Sequence, residues 1–272
     1  MKRKMQGKIM VVTGASSGIG RALSLEGLSR GMKVVMAARN LEGLQETAAL
    51  GDSPEGQFLL VRADVTRQED CQRLIQTTLK EFGRIDILIN NAGVSMRALF
   101  EEVDLEVLDR LMRVNFWGAV YTTKFALPYL LASKGSLVGI SSVAGHKGLP
   151  ARTGYSASKF ALRGFMETLR IENLKKGLHV MVASPGFTTS NIRKTALSRD
   201  GSPQGESPRA EDKMMSAELA AWHIMNAIGK RKRELVLTPE GKLIILLNKI
   251  IPGLLDKMIY DQMAREDNSP LK

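Results

Sequence analysis

Residues 8–20 read KIMVVTGASSGIG: an apolar, β-branched run stops at Gly14 and restarts as a helix opened by Gly18 and Gly20. Few folds accept such a junction. A strand so rich in Val, Ile and Met is buried on both faces, and it feeds a helix through a turn where the backbone must pass close to something else. The pattern then repeats. KVVMAAR (33–39), QFLLVRAD (57–64), RIDILINNAG (84–93), GSLVGISS (135–142), LHVMVASPG (178–186) and RELVLT (233–238) read as further strands. Helical patterns lie between them, over about 18–30, 41–49, 67–82, two within 101–134, and 154–176.

Strands alternating with helices predict an α/β fold: a Rossmann-type, doubly wound parallel β-sheet of about seven strands, flanked by helices. No polar linker divides the alternation, so residues 1–272 are expected to form a single dinucleotide-binding domain. In such sheets the ligand sits beyond the carboxyl ends of the strands. The Ser-, Pro- and Gly-rich stretch 198–212 follows the sixth strand, and a mobile lid is expected over about 187–213.

The glycine turn suits an anion. Glycines let the backbone approach a pyrophosphate, and the helix start offers free N–H groups; Ser16 and Ser17 add hydroxyls, with Ile19 between the last two glycines. About twenty residues on, a fold that takes NAD carries an acid for the adenosine ribose 2′-hydroxyl. Here the second strand ends Ala37-Ala38-Arg39-Asn40. A carboxylate would repel a 2′-phosphate, whereas the Arg39 guanidinium would bind it in two places, so NADP(H) is expected over NAD(H).

Composition removes other classes. Cys71 is the one cysteine, which rules out an intrachain disulfide and suggests a reducing, cytoplasmic setting. His146, His179 and His223 are scattered, and no metal site is expected. The net charge of +11 gathers in MKRKMQGK and KRKR (230–233), read as solvated surface or as attraction to an anionic membrane or phosphorylated cofactor. No aromatics interleave these runs, so nucleic acid is not an expected partner. The start lacks an apolar run of signal-peptide length, and LIILLNKIIPGLL (243–255) is too short to span a bilayer. A soluble protein, at most peripheral to a membrane, is expected.

These segments together resemble the short-chain dehydrogenase/reductase family, from about Lys8 to Thr238. TGASSGIG matches its TGxxxGxG turn, NNAG (Asn90 to Gly93) its sheet-and-cofactor segment, and GYSASKFAL its Tyr-x-x-x-Lys pair. Tyrosine and lysine four apart mean little alone; in this order, with Ser142 thirteen residues before Tyr155, they are specific. The resemblance places Asp64 and Val65 at adenine, and Asn91, Ala92 and Gly93 along the cofactor. It places Pro185, Gly186, Thr188 and Ser190 near the nicotinamide, and Phe187 beside Ser142 and Tyr155 at the substrate. It implies catalytic roles for Asn115, Ser142, Tyr155 and Lys159, and a homodimer or homotetramer.

The chemistry explains the residue types. Reduction of a ketone needs an acid beside the carbonyl oxygen, and a phenol of pKa about 10 is only about 0.1% ionised at pH 7. Lys159, one helical turn from Tyr155, is expected to lower that pKa; a unit charge at about 4 Å with an effective ε of about 20 supplies up to about 4 kcal/mol. Ser142 is expected to polarise the carbonyl. By resemblance Lys159 also holds the nicotinamide ribose, and Asn115 a relay water. His146 is expected to line the substrate mouth.

Beyond the seventh strand an amphipathic tail is expected over about 240–265, broken at Pro252. It argues against a 3-oxoacyl carrier-protein reductase and for a bulky, apolar carbonyl or alcohol, steroid- or lipid-like. The stripe Leu243, Leu246, Leu247, Ile250, Ile251, Leu254 and Leu255 is expected to pack on the protein's own core or pocket, with a partner subunit or peripheral membrane contact as alternatives. A non-catalytic NADP-binding regulatory protein is the alternative class, although it would have little use for Ser142 and Tyr155.

Overall fold

The computed structural model describes residues 5–54, 56–186, 188–189, 192–205, 214–266 and 269–271. Seven parallel strands form one sheet in the order β3-β2-β1-β4-β5-β6-β7. They are β1 (Ile9–Thr13), β2 (Lys33–Ala38), β3 (Phe58–Arg62), β4 (Ile87–Asn90), β5 (Ser136–Ile140), β6 (His179–Ser184) and β7 (Glu234–Val236). The helices are α1 (Gly18–Ser29), α2 (Leu41–Leu50), α3 (Gln68–Phe82), α4 (Leu105–Met112), α5 (Gly118–Ala132), α6 (Thr153–Glu172), α7 (Ala217–Gly229), α8 (Pro239–Ile250) and α9 (Pro252–Ala264).

Strand periodicity divides the core into two layers. Met10 and Val12 of β1, with Val34 and Met36 of β2, pack under Leu23 and Leu28 of α1 and Ile224 and Ile228 of α7. The intervening Val11 and Val35 face Leu74 of α3, Leu130 of α5, and Leu162 and Met166 of α6. Burial on both faces is why these strands read as continuous apolar runs. Order reverses at β1, whose neighbours are β2 and β4, so the loops after β1 and β4 diverge and leave a crevice.

Several boundaries differ from the sequence reading. The strand predicted over 84–93 ends at Asn90, because Asn91 leaves the sheet and donates from Nδ2 to the carbonyls of Thr13 (2.9 Å) and Gly14 (3.2 Å). The two helices predicted within 101–134 run on through one widened, π-helical turn at Arg113–Trp117, which contains Asn115. Helix α7 was not placed by the sequence reading; its start signal is Ser216, whose hydroxyl accepts from Leu219 N at 3.1 Å.

The expected lid is folded where it is described. Leu197 N donates to Ser95 O (2.8 Å) and Arg97 N to Leu197 O (2.9 Å), pinning 192–197 to the stretch after β4. Residues 198–205 continue as hydrogen-bonded turns, with Ser198 N on Ser202 O at 2.8 Å.

The tail breaks at Pro252 as expected, but its stripe does not pack inward. Leu243, Leu246, Ile250, Ile251 and Leu254 are exposed and Leu247 is half-buried; of the seven, Leu255 is buried. Near its start α8 rests Gly241 against Val143, and farther along it is tied by a polar bond, Asn248 Nδ2 to His146 O at 3.1 Å. The outer face therefore has no apolar partner among the described residues. Among the described residues, no helix is long and apolar enough to cross a membrane.

Candidate active site

The crevice opens into a cavity of about 940 Å³. Most of the residues expected at the cofactor line it: Gly14, Ser16, Ser17, Gly18, Ile19 and Gly20 from the first turn, and Arg39 and Asn40 from the end of β2. Asp64 and Val65 join from beyond β3, Asn91, Ala92 and Gly93 from beyond β4, and Pro185, Gly186 and Thr188 from beyond β6. Phe187 and Ser190 lie outside the described residues.

The glycine turn is built for close approach. A Cβ on Gly20 would stand 2.1 Å from the Gly14 carbonyl oxygen, so no side chain fits there. Asn91 faces the cavity, yet its amide braces this turn. Asp64 Oδ1 accepts from Thr66 N (3.0 Å) and Thr66 Oγ1 (2.8 Å), which holds its carboxylate locally. Arg39 is exposed and has no hydrogen-bond or ion-pair partner among the described residues. Narrow glycine backbone and an exposed helix start fit a nicotinamide dinucleotide.

At the other end, Ser142, Tyr155 and Lys159 converge on the same cavity. Ser142 starts a short turn after β5; its hydroxyl accepts from Ala144 N at 3.2 Å and shares a hydrogen bond with the Tyr155 phenol. Ser141 also lines the cavity, but its hydroxyl donates towards Lys159 O at 3.4 Å, so Ser142 is the serine facing Tyr155. Lys159 is buried, donates from Nζ to Ile140 O at 2.9 Å, and stands 5.7 Å from the centre of the Tyr155 ring. Gly93 makes room for it: a Cβ there would lie 3.4 Å from Nζ and 3.2 Å from Asn115 Oδ1.

Asn115 sits behind the cavity wall. Its Oδ1 accepts from Val94 N (2.8 Å), and its Nδ2 donates to Val94 O (2.9 Å) and Ser158 Oγ (2.9 Å). Ser158 Oγ in turn donates to Tyr155 O at 2.8 Å. The asparagine side chain is thus engaged in joining the β4 loop to α6, a connection the sequence motif did not reveal.

Electrostatics depart from expectation in one respect. Burial pushes the Tyr155 phenol above its ordinary pKa, while the Ser142 hydrogen bond and the charges of Arg152 and Arg193 pull it down. Lys159 is not among the groups lowering it. Burial depresses the lysine itself to about 8, and its ammonium is turned to the Ile140 carbonyl. The two arginines escaped the sequence reading, since nothing in the spacing of Arg152 or Arg193 relates them to Tyr155.

His146 does not line the cavity. It lies against Ser184 (3.2 Å) and Arg163, with Glu234 at 3.6 Å from Nε2. Burial, then Arg163, lowers its pKa. Cys71 is buried and pushed up to about 12, which makes it an inert thiol.

A switch-point cavity joining a glycine turn to a Ser–Tyr–Lys cluster defines a nucleotide-binding fold of the Rossmann class. The chain belongs to the short-chain dehydrogenase family, whose model matches residues 8–201. It is 43% identical over 188 residues to 11-beta-hydroxysteroid dehydrogenase A of Sesamum indicum, covering 68% of this chain and 54% of that protein. The chain therefore spans about half the length of this and similar curated relatives. It is 32% identical over 274 residues to dehydrogenase/reductase SDR family member 7B of Mus musculus, covering 98% of this chain and 85% of that one. In three dimensions it superposes on a short-chain dehydrogenase/reductase from Burkholderia phymatum in complex with NAD, with TM-score 0.82 and 26% identity, over 92% of this chain and 95% of that one.

Proposed function

We propose that this chain is an NADP(H)-dependent oxidoreductase interconverting a ketone or aldehyde and the corresponding alcohol, on a bulky, largely apolar substrate of steroid or lipid type. One observation carries the reading: the Ser142–Tyr155 hydroxyl pair and Lys159 share one cavity with the glycine turn and Arg39. The names of the relatives favour a steroid-like substrate.

Bound NADPH supplies the hydride for the carbonyl carbon. Tyr155 donates its phenolic proton to the carbonyl oxygen, and in the oxidative direction accepts it back. Its raised pKa keeps the phenol protonated and ready to donate. Ser142, already hydrogen-bonded to that phenol, donates to the same oxygen as negative charge develops. Lys159, with a pKa of about 8, binds ribose hydroxyls, while the charges of Arg152 and Arg193 act on the Tyr155 phenol. Asn115 acts as a positioning residue, fixing α6 against the β4 loop.

Gly14 to Gly20 hold the pyrophosphate, and Arg39 selects the 2′-phosphate. The same reading carries one catalytic domain per chain and a homodimer or homotetramer, which light scattering would measure. The decisive test is an NADPH-oxidation screen of ketosteroids and lipid ketones with the wild type and Tyr155→Phe. Turnover that the variant loses supports the proposal; background rates across the whole panel reject it.

A further inference from the structure

We infer that the outer face of α8, with the exposed start of α9, is a docking surface for an anionic lipid bilayer, on which the tail lies flat. None of its side chains lines the cavity.

Helical spacing builds the face. Gly241 rests against Val143, and Asn248 donates to His146 O at 3.1 Å; these residues, seven apart, mark the side of α8 that touches the protein. At about 3.6 residues per turn, Leu243, Leu246 and Ile250 point the opposite way, and all three are exposed. Around and past the break at Pro252, Ile251, Leu254 and Met258 are exposed as well. Seven of the eighteen large apolar side chains exposed among the described residues fall within 243–260. Single exposed leucines are ordinary, but a cluster of this kind marks an interaction surface.

Charge decides the occupant. Lys242 and Lys249, also seven apart, flank the apolar stripe on one side, and Lys257 lies one turn from Leu254 on α9. All three are exposed, and none has a hydrogen-bond or ion-pair partner among the described residues. Of the acids nearby, Asp256 is taken by Lys147 and Glu266 by Arg97, which leaves Glu240 and Asp261 against these lysines and Arg265. The whole chain carries a net charge of +11. A second copy would bring that charge against itself, whereas an anionic leaflet attracts the lysines and receives the leucines. An apolar stripe flanked by lysines suits a helix at a lipid interface, with leucines among the acyl chains and ammonium groups at the phosphates. Among the described residues no helix is long and apolar enough to cross a membrane, so α8 and α9 rest on the bilayer.

The test mixes the purified full chain with phosphatidylcholine vesicles, with and without about 30% phosphatidylglycerol, and measures the bound fraction by sedimentation. Binding is expected to be at least about tenfold tighter on the anionic vesicles and to weaken as salt is raised. Leu246→Gln with Ile250→Gln should lower it by about tenfold or more. Lys242→Gln with Lys249→Gln should lower it on anionic vesicles alone, each lysine contributing about fivefold. Lys175→Gln with Lys176→Gln removes the same charge before β6, at the opposite end of the strands, and should lower it by about twofold at most. Cys71 is buried, so a polarity-sensitive dye can be placed on Leu246→Cys alone, and its emission should move to shorter wavelength on anionic vesicles.

Absence of binding to either vesicle overturns the inference. So does a loss from the Lys175 and Lys176 changes as large as that from Lys242 and Lys249, which would reduce the attraction to overall charge. A dimer that Leu246→Gln with Ile250→Gln weakens in analytical ultracentrifugation, with no vesicle binding, assigns the face to a second copy instead. Binding without a dye shift places the contact elsewhere on the molecule and also overturns it. Should the doubly apolar variant not fold, the dye shift and the two lysine pairs still decide.

Discussion

Helix α6 and the C-terminal pair α8–α9 carry opposite burial patterns. Along α6 the polar side chains Tyr155, Ser156, Ser158 and Lys159 are buried beside Leu162 and Met166. Along α8 and α9 the apolar side chains Leu243, Leu246, Ile250, Leu254 and Met258 stand in water. The tail is fastened by polar clamps instead: Lys147 to Asp256, and Arg97 to Glu266 at 3.1 Å with the arginine almost wholly buried. The difference teaches where the fold accepts a local energetic penalty. Burying a lysine and a phenol is unfavourable, and α6 tolerates it because its other face is locked into the sheet through Leu162 and Met166. The tail buries Leu255 and Met263, but neither joins the two apolar layers of the sheet.

The sharpest way to break the comparison is Tyr155→Phe. Removal of one hydroxyl from α6 is expected to lower kcat by about 10²–10⁴-fold without unfolding the chain, measured by NADPH oxidation beside thermal melting. Next comes Leu162→Ala. It leaves a cavity under the sheet and is expected to destabilise by about 2–5 kcal/mol in urea titration, confirming that α6 is held from its apolar side. A smaller effect is expected from Arg39→Asp at the far end of the cavity. The ratio of NADPH to NADH affinity should fall by about tenfold or more, and an unchanged ratio would remove Arg39 as the selector.

Lys159 sharpens the comparison through pH. Its folded pKa of about 8 lies below the ordinary 10.5, so the folded chain binds fewer protons than the unfolded one between those values. The penalty is fully present below about pH 8 and is relieved as pH rises towards about 10.5. Urea stability measured without nucleotide should therefore rise over that window in the wild type, and Lys159→Met should flatten the rise. The smallest effect is expected from Leu246→Gln on the outer face of α8. A change within about 0.5 kcal/mol agrees with its exposure; a loss of several kcal/mol would mean that a second copy or another surface covers this face.

Much of this molecule was legible in the chain itself. Strand order cannot be read from sequence, yet the alternation of apolar runs with helical spacing determined a parallel, two-sided sheet, because only burial on both faces permits such runs. The glycine turn and Arg39 were legible from their places after β1 and β2, and Ser142, Tyr155 and Lys159 through the family resemblance; all of them line one cavity. What tertiary structure decided were relations between segments distant in sequence. Arg193 meets the Tyr155 end of the cavity across a loop pinned to Ser95, Asn115 joins Val94 to Ser158, and His146 turns to Arg163 rather than to the pocket. The tail shows the same limit from the other side. Periodicity established that α8 has an apolar face, but whether that face is covered depends on what the fold places opposite it, and among the described residues it places nothing there.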